Sequence, residues 1–272
     1  MTDSVKDAAR EAESSRTLHV LARAGYAANG LVHVLIGVLV LVVAFGGRSE
    51  SDQAGAFKAV AAAPLGFAVL WVLAIALWAL ALWHAVEGVL APARGGDAKG
   101  LARKWGVRVS EWGQALVFAA LGVIAAAVAL GARPDADEAA QGASRGVLAI
   151  PGGPFLLGAV GLGVGIGGVV FVVMGVRRSF ENKMSIPSSP LGDGVKILGI
   201  VGFIAKGIAL VVVGVLLLVS AVTVDPDAAA GLDGAIQALF DLPYGAWLAG
   251  VVGAGIIAYG VFCFFRAGFA RL

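Results

Sequence analysis

Apolar residues in this chain gather in six long runs that contain no Asp, Glu, Lys or Arg. A helix needs roughly 20 residues to cross the hydrocarbon of a bilayer. The runs are Ala24–Gly47, Leu65–Val86, Trp112–Ala132, Gly146–Val176, Gly207–Val224 and Leu242–Phe265. Each is close to or above the length of one membrane crossing, so the pattern predicts six transmembrane helices.

Three segments, each at or across the start of one of these runs, align without gaps. The segments read GYAANGLVHVLIGVL from Gly25, SEWGQALVFAALGVI from Ser110 and GFIAKGIALVVVGVL from Gly202. Each has a polar residue at its fifth position, and the next charged residue follows 19 positions later in all three. The polar residues are Asn29, Gln114 and Lys206. Equal spacing in three places indicates an internal repeat.

A second interval repeats in the other three runs. A charged residue, Glu87, Arg177 or Arg266, follows a proline by 23 positions in each. The prolines are Pro64, Pro154 and Pro243. The two intervals predict three tandem two-helix units at residues 20–90, 105–180 and 195–269, preceded by a polar segment at residues 1–19.

Units with an even number of spans all keep the same orientation, so an axis along the membrane normal can relate them. The expected fold class is therefore an all-α integral membrane protein, with six transmembrane helices as three tandem two-helix hairpin repeats around a pseudo-threefold axis. Within each unit the connection contains a short apolar segment: AFKAVAAAP, RGVLAIPGGP or GAIQALFDLP. Each suits either a short amphipathic helix on the outer surface or a plain turn.

Composition excludes a soluble domain. Hydrophobic residues make up 59% of the 272 residues and charged residues 14%, with a mean hydropathy of +0.91. Soluble domains are about 45–50% apolar and about 25% charged. Of the 20 Lys and Arg residues, 15 fall in the N-terminus, in the loops after the second and fourth spans, and in the C-terminus. The positive-inside rule then places both termini in the cytoplasm.

Several polar residues lie near the predicted cytoplasmic side and form a candidate polar cluster. The candidates are Asn29, His33, His84, Glu87, Gln114, Lys206 and Arg266. One hypothesis is that His33, His84 and Glu87 bind or relay a proton, with Glu87 facing Lys206 or Arg266 of another unit. The alternative is that His33 is a hydrogen-bonded packing residue and that Glu87 and Arg266 end their helices among the lipid headgroups.

Lys206 has two interpretations as well. The 18 uncharged residues from Gly207 to Val224 span about 27 Å as a helix, close to the hydrocarbon thickness. Lys206 would then mark the cytoplasmic boundary and extend its ammonium to the headgroups. Alternatively, it is a charge within the membrane, where such residues are usually functional.

Catalytic chemistry is not indicated. The one cysteine, Cys263, excludes an intramolecular disulfide and a cysteine-based metal site. No H-E-x-x-H, Ser–His or paired-Asp arrangement is evident, so we expect no catalytic residue, metal ligand or cofactor, and no enzyme. The basic loop Arg94–Arg108 is explained by topology and anionic lipid, so nucleic acid is not an expected partner.

The repeated opening GYAANGLVHVLIGVL, with AFKAVAAAPLG and GAIQALFDLPYG before the second helix, resembles an uncharacterised bacterial membrane family, domain-of-unknown-function family twelve-zero-six. The resemblance covers nearly the whole chain after the polar N-terminus and implies a bacterial plasma membrane. It implies no established activity, cofactor or substrate. In that family the position of Asn29, Gln114 and Lys206 is often basic, and here only the third unit fits. The second unit departs most, with Ser110 and Glu111 in place of glycine and an aromatic residue.

Two functions follow as hypotheses for a multi-pass plasma-membrane protein. The first is a non-enzymatic envelope scaffold or accessory subunit, in contact with membrane lipid and a membrane-protein partner. The alternative is a small transporter or channel for a proton, an ion or a lipid, using the cytoplasm-side polar cluster. A cavity lined by Asn29, His33 and Lys206 would favour transport. The oligomeric state stays open.

Overall fold

The computed structural model describes residues 6–7, 9–11, 14–91, 98–240 and 242–271, without the side chains at 98, 99, 102 and 103. Arg94 and Asp241, and the side chains of Lys99 and Arg103, therefore lie outside the described residues. The helices that build the fold are α1 (Arg16–Ala44), α2 (Gln53–Ala61), α3 (Gly66–Leu90), α4 (Ala98–Ala129), α5 (Ala136–Leu148), α6 (Gly153–Val176), α7 (Pro190–Thr223), α8 (Leu232–Phe240) and α9 (Gly245–Phe269). Short 3₁₀ helices, Ser179–Lys183 and Pro226–Ala228, flank α7.

Six of these helices are long and apolar enough to cross a membrane: α1, α3, α4, α6, α7 and α9. They confirm the predicted all-helical fold with six spans. The connections that contain α2, α5 and α8 lie at one end of the bundle, which we call the acidic end. The α3–α4 and α6–α7 connections and the C-terminal segment lie at the other, which we call the basic end.

The same turn begins the second long helix of every unit. A proline is followed by a residue with positive φ and then by the first glycine of the helix, as in Pro64-Leu65-Gly66, Pro151-Gly152-Gly153 and Pro243-Tyr244-Gly245. A Cβ on any of these glycines would collide with the carbonyl oxygen six residues earlier. The turn corrects one interval read from the sequence: the equivalent of Pro64 and Pro243 is Pro151, not Pro154, so the 23-residue spacing holds only in units 1 and 3.

The long helices pack most extensively between consecutive units rather than within them. The pairs α3–α4, α6–α7 and α9–α1 make the largest contacts, and each joins the second helix of one unit to the first helix of the next. This cyclic order is what a pseudo-threefold arrangement requires. Within the units, α1 packs on α3 and α7 on α9, whereas α4 and α6 share little contact among the described residues.

Glycines allow the backbones of these pairs to approach closely, because without a hydrophobic driving force in lipid such pairs depend on tight packing. A Cβ on Gly30 of α1 would lie 2.7 Å from the carbonyl oxygen of Gly260 in α9. A Cβ on Gly168 of α6 would lie 2.6 Å from the carbonyl oxygen of Gly207 in α7. The units are therefore joined along glycine contacts.

Short helices form in all three connections at the acidic end. In units 1 and 3 they cover most of the predicted apolar segment, which confirms the helical interpretation there, whereas α5 covers only the first four residues of RGVLAIPGGP. They do not all lie on the surface. In α2 the side chains of Ala54, Ala56 and Phe57 are buried, and the helix packs on α1, α3 and α4. In α5, by contrast, Ser144 is the one buried residue. Unit 2 is thus the most open of the three.

Asp52 is a buried carboxylate that caps α2. Its side chain accepts a hydrogen bond from the Gly55 backbone N–H at 2.7 Å, and only 2% of the residue is exposed. Burial raises the pKa of Asp52 from 3.8 to about 6; the Gly55 hydrogen bond lowers it, and the nearby Asp233, Glu50 and Asp137 raise it further. Four acids therefore lie together at this end of the protein.

We expect the stability of the folded protein to fall as pH rises from about 4 to about 6. In this range the folded state holds a proton on Asp52 that the unfolded chain has already lost, so ionisation costs roughly 2 kcal/mol. In the Asp52→Asn variant, the amide oxygen still caps Gly55, and this loss should disappear. Thermal unfolding in detergent between pH 4 and 7.5 measures it. The control is Asp227→Asn, an exposed acid of the same end; an equal response in both variants would contradict the assignment to Asp52.

Candidate functional site

Lys206 lies near the middle of α7 with its side chain between two aromatic rings. Its Nζ is 4.3 Å from the centroid of the Tyr259 ring in α9 and 5.2 Å from that of Phe171 in α6. Cation–π contacts of this kind stabilise an ammonium by about 1–2 kcal/mol, which does not replace a counter-ion. No acidic group of the described residues lies within 4.0 Å of this ammonium.

The helix register shows how far Lys206 lies from the basic end. Tyr259, which its ammonium contacts, precedes Arg266 by seven residues on α9, or about 10 Å along a helix. α7 itself begins at Pro190, so 16 helical residues precede Lys206. The ammonium therefore packs between α6 and α9 at some distance from the basic end, and the boundary interpretation stays a prediction.

His33 of α1 contacts the same tyrosine. Its ring centroid is 4.8 Å from that of Tyr259, and its Nδ1 lies 2.8 Å from the Asn29 carbonyl oxygen. Since a carbonyl only accepts, Nδ1 carries the proton of the neutral ring. Nε2 is then left as a hydrogen-bond acceptor.

Lys206 and His33 both line a cavity of about 190 Å³, which we call the Lys206 cavity. It lies between units 1 and 3. The lining residues are His33, Gln53, Lys206, Ala209, Leu210, Val213, Leu232 and Ile256. Gln53 belongs to α2 and Leu232 to α8, so the cavity extends from Lys206 towards the acidic end. Its wall is apolar except at three side chains, one of them cationic.

The repeat counterparts of Lys206 have different surroundings. Asn29 is buried, and its amide nitrogen donates to the Cys263 sulfur of α9 at 3.5 Å. Gln114 donates to the Ser110 carbonyl of its own helix, also at 3.5 Å. Neither lines the Lys206 cavity. The three equivalent positions therefore do not form one ring of polar groups.

A second polar group lies at the basic end, and we call it the Glu111 cluster: His84, Glu87, Glu111 and Lys183. His84 Nδ1 lies 2.7 Å from Glu111 Oε2. The Lys183 ammonium lies 2.9 Å from Glu111 Oε1 and 3.8 Å from Glu87 Oε2. The cluster joins α3, α4 and the 3₁₀ helix after α6. It therefore connects the last turns of unit 1 with both ends of unit 2.

The structure divides the predicted cluster in two. His33 shares no hydrogen bond or ring contact with His84 or Glu87 in the described part of the chain. Glu87 meets Lys183 and not Lys206 or Arg266. Arg266 instead stacks over Tyr26 of α1, with its guanidinium carbon 4.3 Å from the ring centroid, and donates to the Tyr26 hydroxyl at 3.2 Å.

A family model described as Domain of Unknown Function (DUF1206) matches the chain three times, over residues 24–91, 112–178 and 201–270. This chain belongs to the DUF1206 family. The three matches coincide with the helix pairs α1–α3, α4–α6 and α7–α9, and they confirm the resemblance noted in the sequence.

One relative of this DUF1206 protein covers most of its length. The protein named "Uncharacterized protein YxxB" of Bacillus subtilis (strain 168) is 30% identical over 247 residues, which is 90% of this chain and 88% of YxxB. No solved structure matches the chain. This DUF1206 protein is therefore a multi-pass membrane protein built from three family repeats.

Two residues of the Glu111 cluster, Glu111 and Lys183, were not among the site residues predicted for this DUF1206 protein. Glu111 was visible as the point where the second unit departs from the other two, but its partner was not. Lys183 lies in a connection, where no helical periodicity fixes the direction of a side chain. Burial lowers the pKa of Lys183, but the carboxylates of Glu87 and Glu111 raise it by more, so the net pKa lies above the ordinary value. Lys183 is therefore a permanent cation of the cluster.

Proposed function

We propose that this DUF1206 protein is a small, non-enzymatic transporter of the bacterial plasma membrane that moves a small anion through the Lys206 cavity. The observation that carries the proposal is the cation in that cavity. Lys206 is partly buried, and an ammonium withdrawn from water without a counter-ion is costly. An anion entering the cavity would supply the missing charge. Because the cavity is smaller than the roughly 300–1,000 Å³ typical of drug-sized ligands, we propose an inorganic anion or a short carboxylate.

Charge distribution supports the proposed orientation. Of the 20 Lys and Arg residues, 15 belong to the basic end and the N-terminal segment, and such residues favour the cytoplasmic side. Both termini are then cytoplasmic and the acidic end faces outward. In this orientation the Lys206 cavity extends from Lys206 towards the outer surface.

We expect Lys206→Met to reduce anion flux at least tenfold. Methionine keeps much of the apolar length of the side chain but removes the charge. Protein in liposomes would be tested for uptake of chloride, nitrate, formate and acetate, against protein-free liposomes. The matched control is Lys196→Met, which removes another lysine from the same helix, one that pairs with Asp193. Absence of flux for all four anions, or equal flux in both variants, would refute the proposal.

The scaffold hypothesis has one specific observation in its favour. Gly163 and Gly167 of α6 lie four residues apart, and a Cβ on either would meet no atom within 4 Å in the described residues. Small residues with this spacing allow another transmembrane helix to approach closely. A scaffold needs neither anion flux nor Lys206, so the liposome experiment distinguishes the two functions.

A further inference from the structure

Three side chains of the Glu111 cluster have the chemistry of metal ligands. The candidate ligand atoms of His84, Glu87 and Glu111 all lie within 4.8 Å of one another. His84 and Glu87 are three residues apart on α3 and share a helix face, while Glu111 comes from α4. An imidazole with two carboxylates suits Zn²⁺ and Mn²⁺.

The surroundings hold these groups in place. The His84 ring is stacked on Phe118 of α4, with centroids 5.4 Å apart and planes inclined by 19°, and 1% of His84 is exposed. Glu111 is 5% exposed. Both helices belong to one of the closely packed pairs. The ligand positions are therefore fixed by helix packing, and only one loop residue enters the cluster.

That loop residue, Lys183, supplies the positive charge that pairs with the two carboxylates in this structure. Its ammonium contacts both carboxylates, but a single charge faces two, and 54% of its side chain is exposed. Since Lys183 lies in the connection between α6 and α7, its side chain can turn to solvent without moving a long helix. A divalent cation would balance both carboxylates at once.

We propose that His84, Glu87 and Glu111 form a binding site for a divalent transition-metal ion, Zn²⁺ in the first instance, with Lys183 as its tethered competitor. The metal takes the position of the proton that His84 Nδ1 donates to Glu111, and that proton moves to Nε2. Nε2 has no hydrogen-bond partner in the described part of the chain, so no neighbouring donor opposes its protonation. Water completes the coordination.

Zn²⁺ affinity of the detergent-purified full chain, without an affinity tag and after treatment with a chelator, tests the proposal. Isothermal titration calorimetry should show one site. Lys183→Met removes the competitor and should bind Zn²⁺ at least tenfold more tightly, a gain that misfolding does not produce. Glu111→Gln should bind Zn²⁺ at least tenfold more weakly. The affinities of these variants for Mn²⁺ should rank in the same order as their affinities for Zn²⁺.

Two controls separate this site from others. Lys196→Met should leave Zn²⁺ affinity unchanged, which excludes a general effect of net charge. Lys206→Met should also leave it unchanged, so that the metal site and the proposed anion pathway can fail independently. Absence of Zn²⁺ binding in both the natural protein and Lys183→Met, or equal affinity in Lys183→Met and Glu111→Gln, would overturn the proposal.

Discussion

Leucine in place of Gly168 is expected to destabilise the bundle by about 3 kcal/mol, the upper end of the usual range for overpacked cores. A Cβ at this position would lie 2.6 Å from the Gly207 carbonyl oxygen and 2.7 Å from the Val211 backbone nitrogen. Both are backbone atoms of α7, which cannot rotate away as a side chain could. The helices α6 and α7 would have to separate.

The same substitution at Gly163 provides a matched control within α6. There a Cβ would meet no atom within 4 Å in the described residues, and glycine is the weaker helix former by about 1 kcal/mol. Gly163→Leu should therefore unfold at the same SDS concentration as the natural protein or at a higher one. Gly168→Leu should unfold at a much lower SDS concentration. SDS-induced unfolding of the protein in mild detergent measures both. Equal loss in the two variants would mean that α6 does not pack on α7 through this face.

The number of spans and the repeat could be predicted because both follow from helix length. Eighteen to 22 uncharged residues match the bilayer, and that match is visible as a distance between charged residues such as Lys206 and Asp225. Which helices pack on each other, and through which faces, was harder to predict from the sequence. Nothing in the sequence of α6 distinguishes Gly161 and Gly168, where an added Cβ would meet α7, from Gly163 and Gly167, where it would meet no atom within 4 Å in the described residues.

The candidate sites were harder to predict than the fold for a related reason. Three equivalent positions, Asn29, Gln114 and Lys206, suggested one shared polar layer, but each side chain follows its own local contacts. Asn29 reaches a sulfur of α9, Gln114 its own helix, and Lys206 two aromatic rings. The partner of His84 lies 27 residues away on another helix. Such pairs depend on helix rotation, which hydropathy does not specify.

The two polar sites differ in how their charges are balanced, and this difference suggests different roles. In the Glu111 cluster one lysine contacts two carboxylates, so the charges are partly balanced without a ligand and the group joins units 1 and 2. At Lys206 the described residues supply aromatic faces but no carboxylate within 4.0 Å. The first site therefore contributes to stability in the absence of any ligand, whereas the second gains most from binding one.

Leucine in place of Glu111 is expected to cost about 3 kcal/mol of folding free energy. The carboxylate is buried, and its removal leaves the His84 Nδ1–H without its acceptor and Lys183 with Glu87 alone. Breaking a buried ion pair by removing one partner costs about 3–5 kcal/mol. We expect the lower limit here because 54% of the Lys183 side chain is exposed, so water still solvates part of its charge. The control is Glu138→Leu, at an exposed position of α5, which should change stability by less than about 0.5 kcal/mol.

A double-mutant cycle with His84→Phe separates the hydrogen bond from the change in packing. A phenylalanine ring at position 84 can keep the stacking contact with Phe118. It also removes the Nδ1–H that Glu111→Leu would leave without an acceptor. Glu111→Leu should then cost about 1–2 kcal/mol less in the His84→Phe background than in the natural one. Unfolding by SDS at neutral pH gives the four free energies. Additive effects would show that His84 and Glu111 are not energetically coupled, and the stability of this end of the bundle would then depend on the ion pair with Lys183.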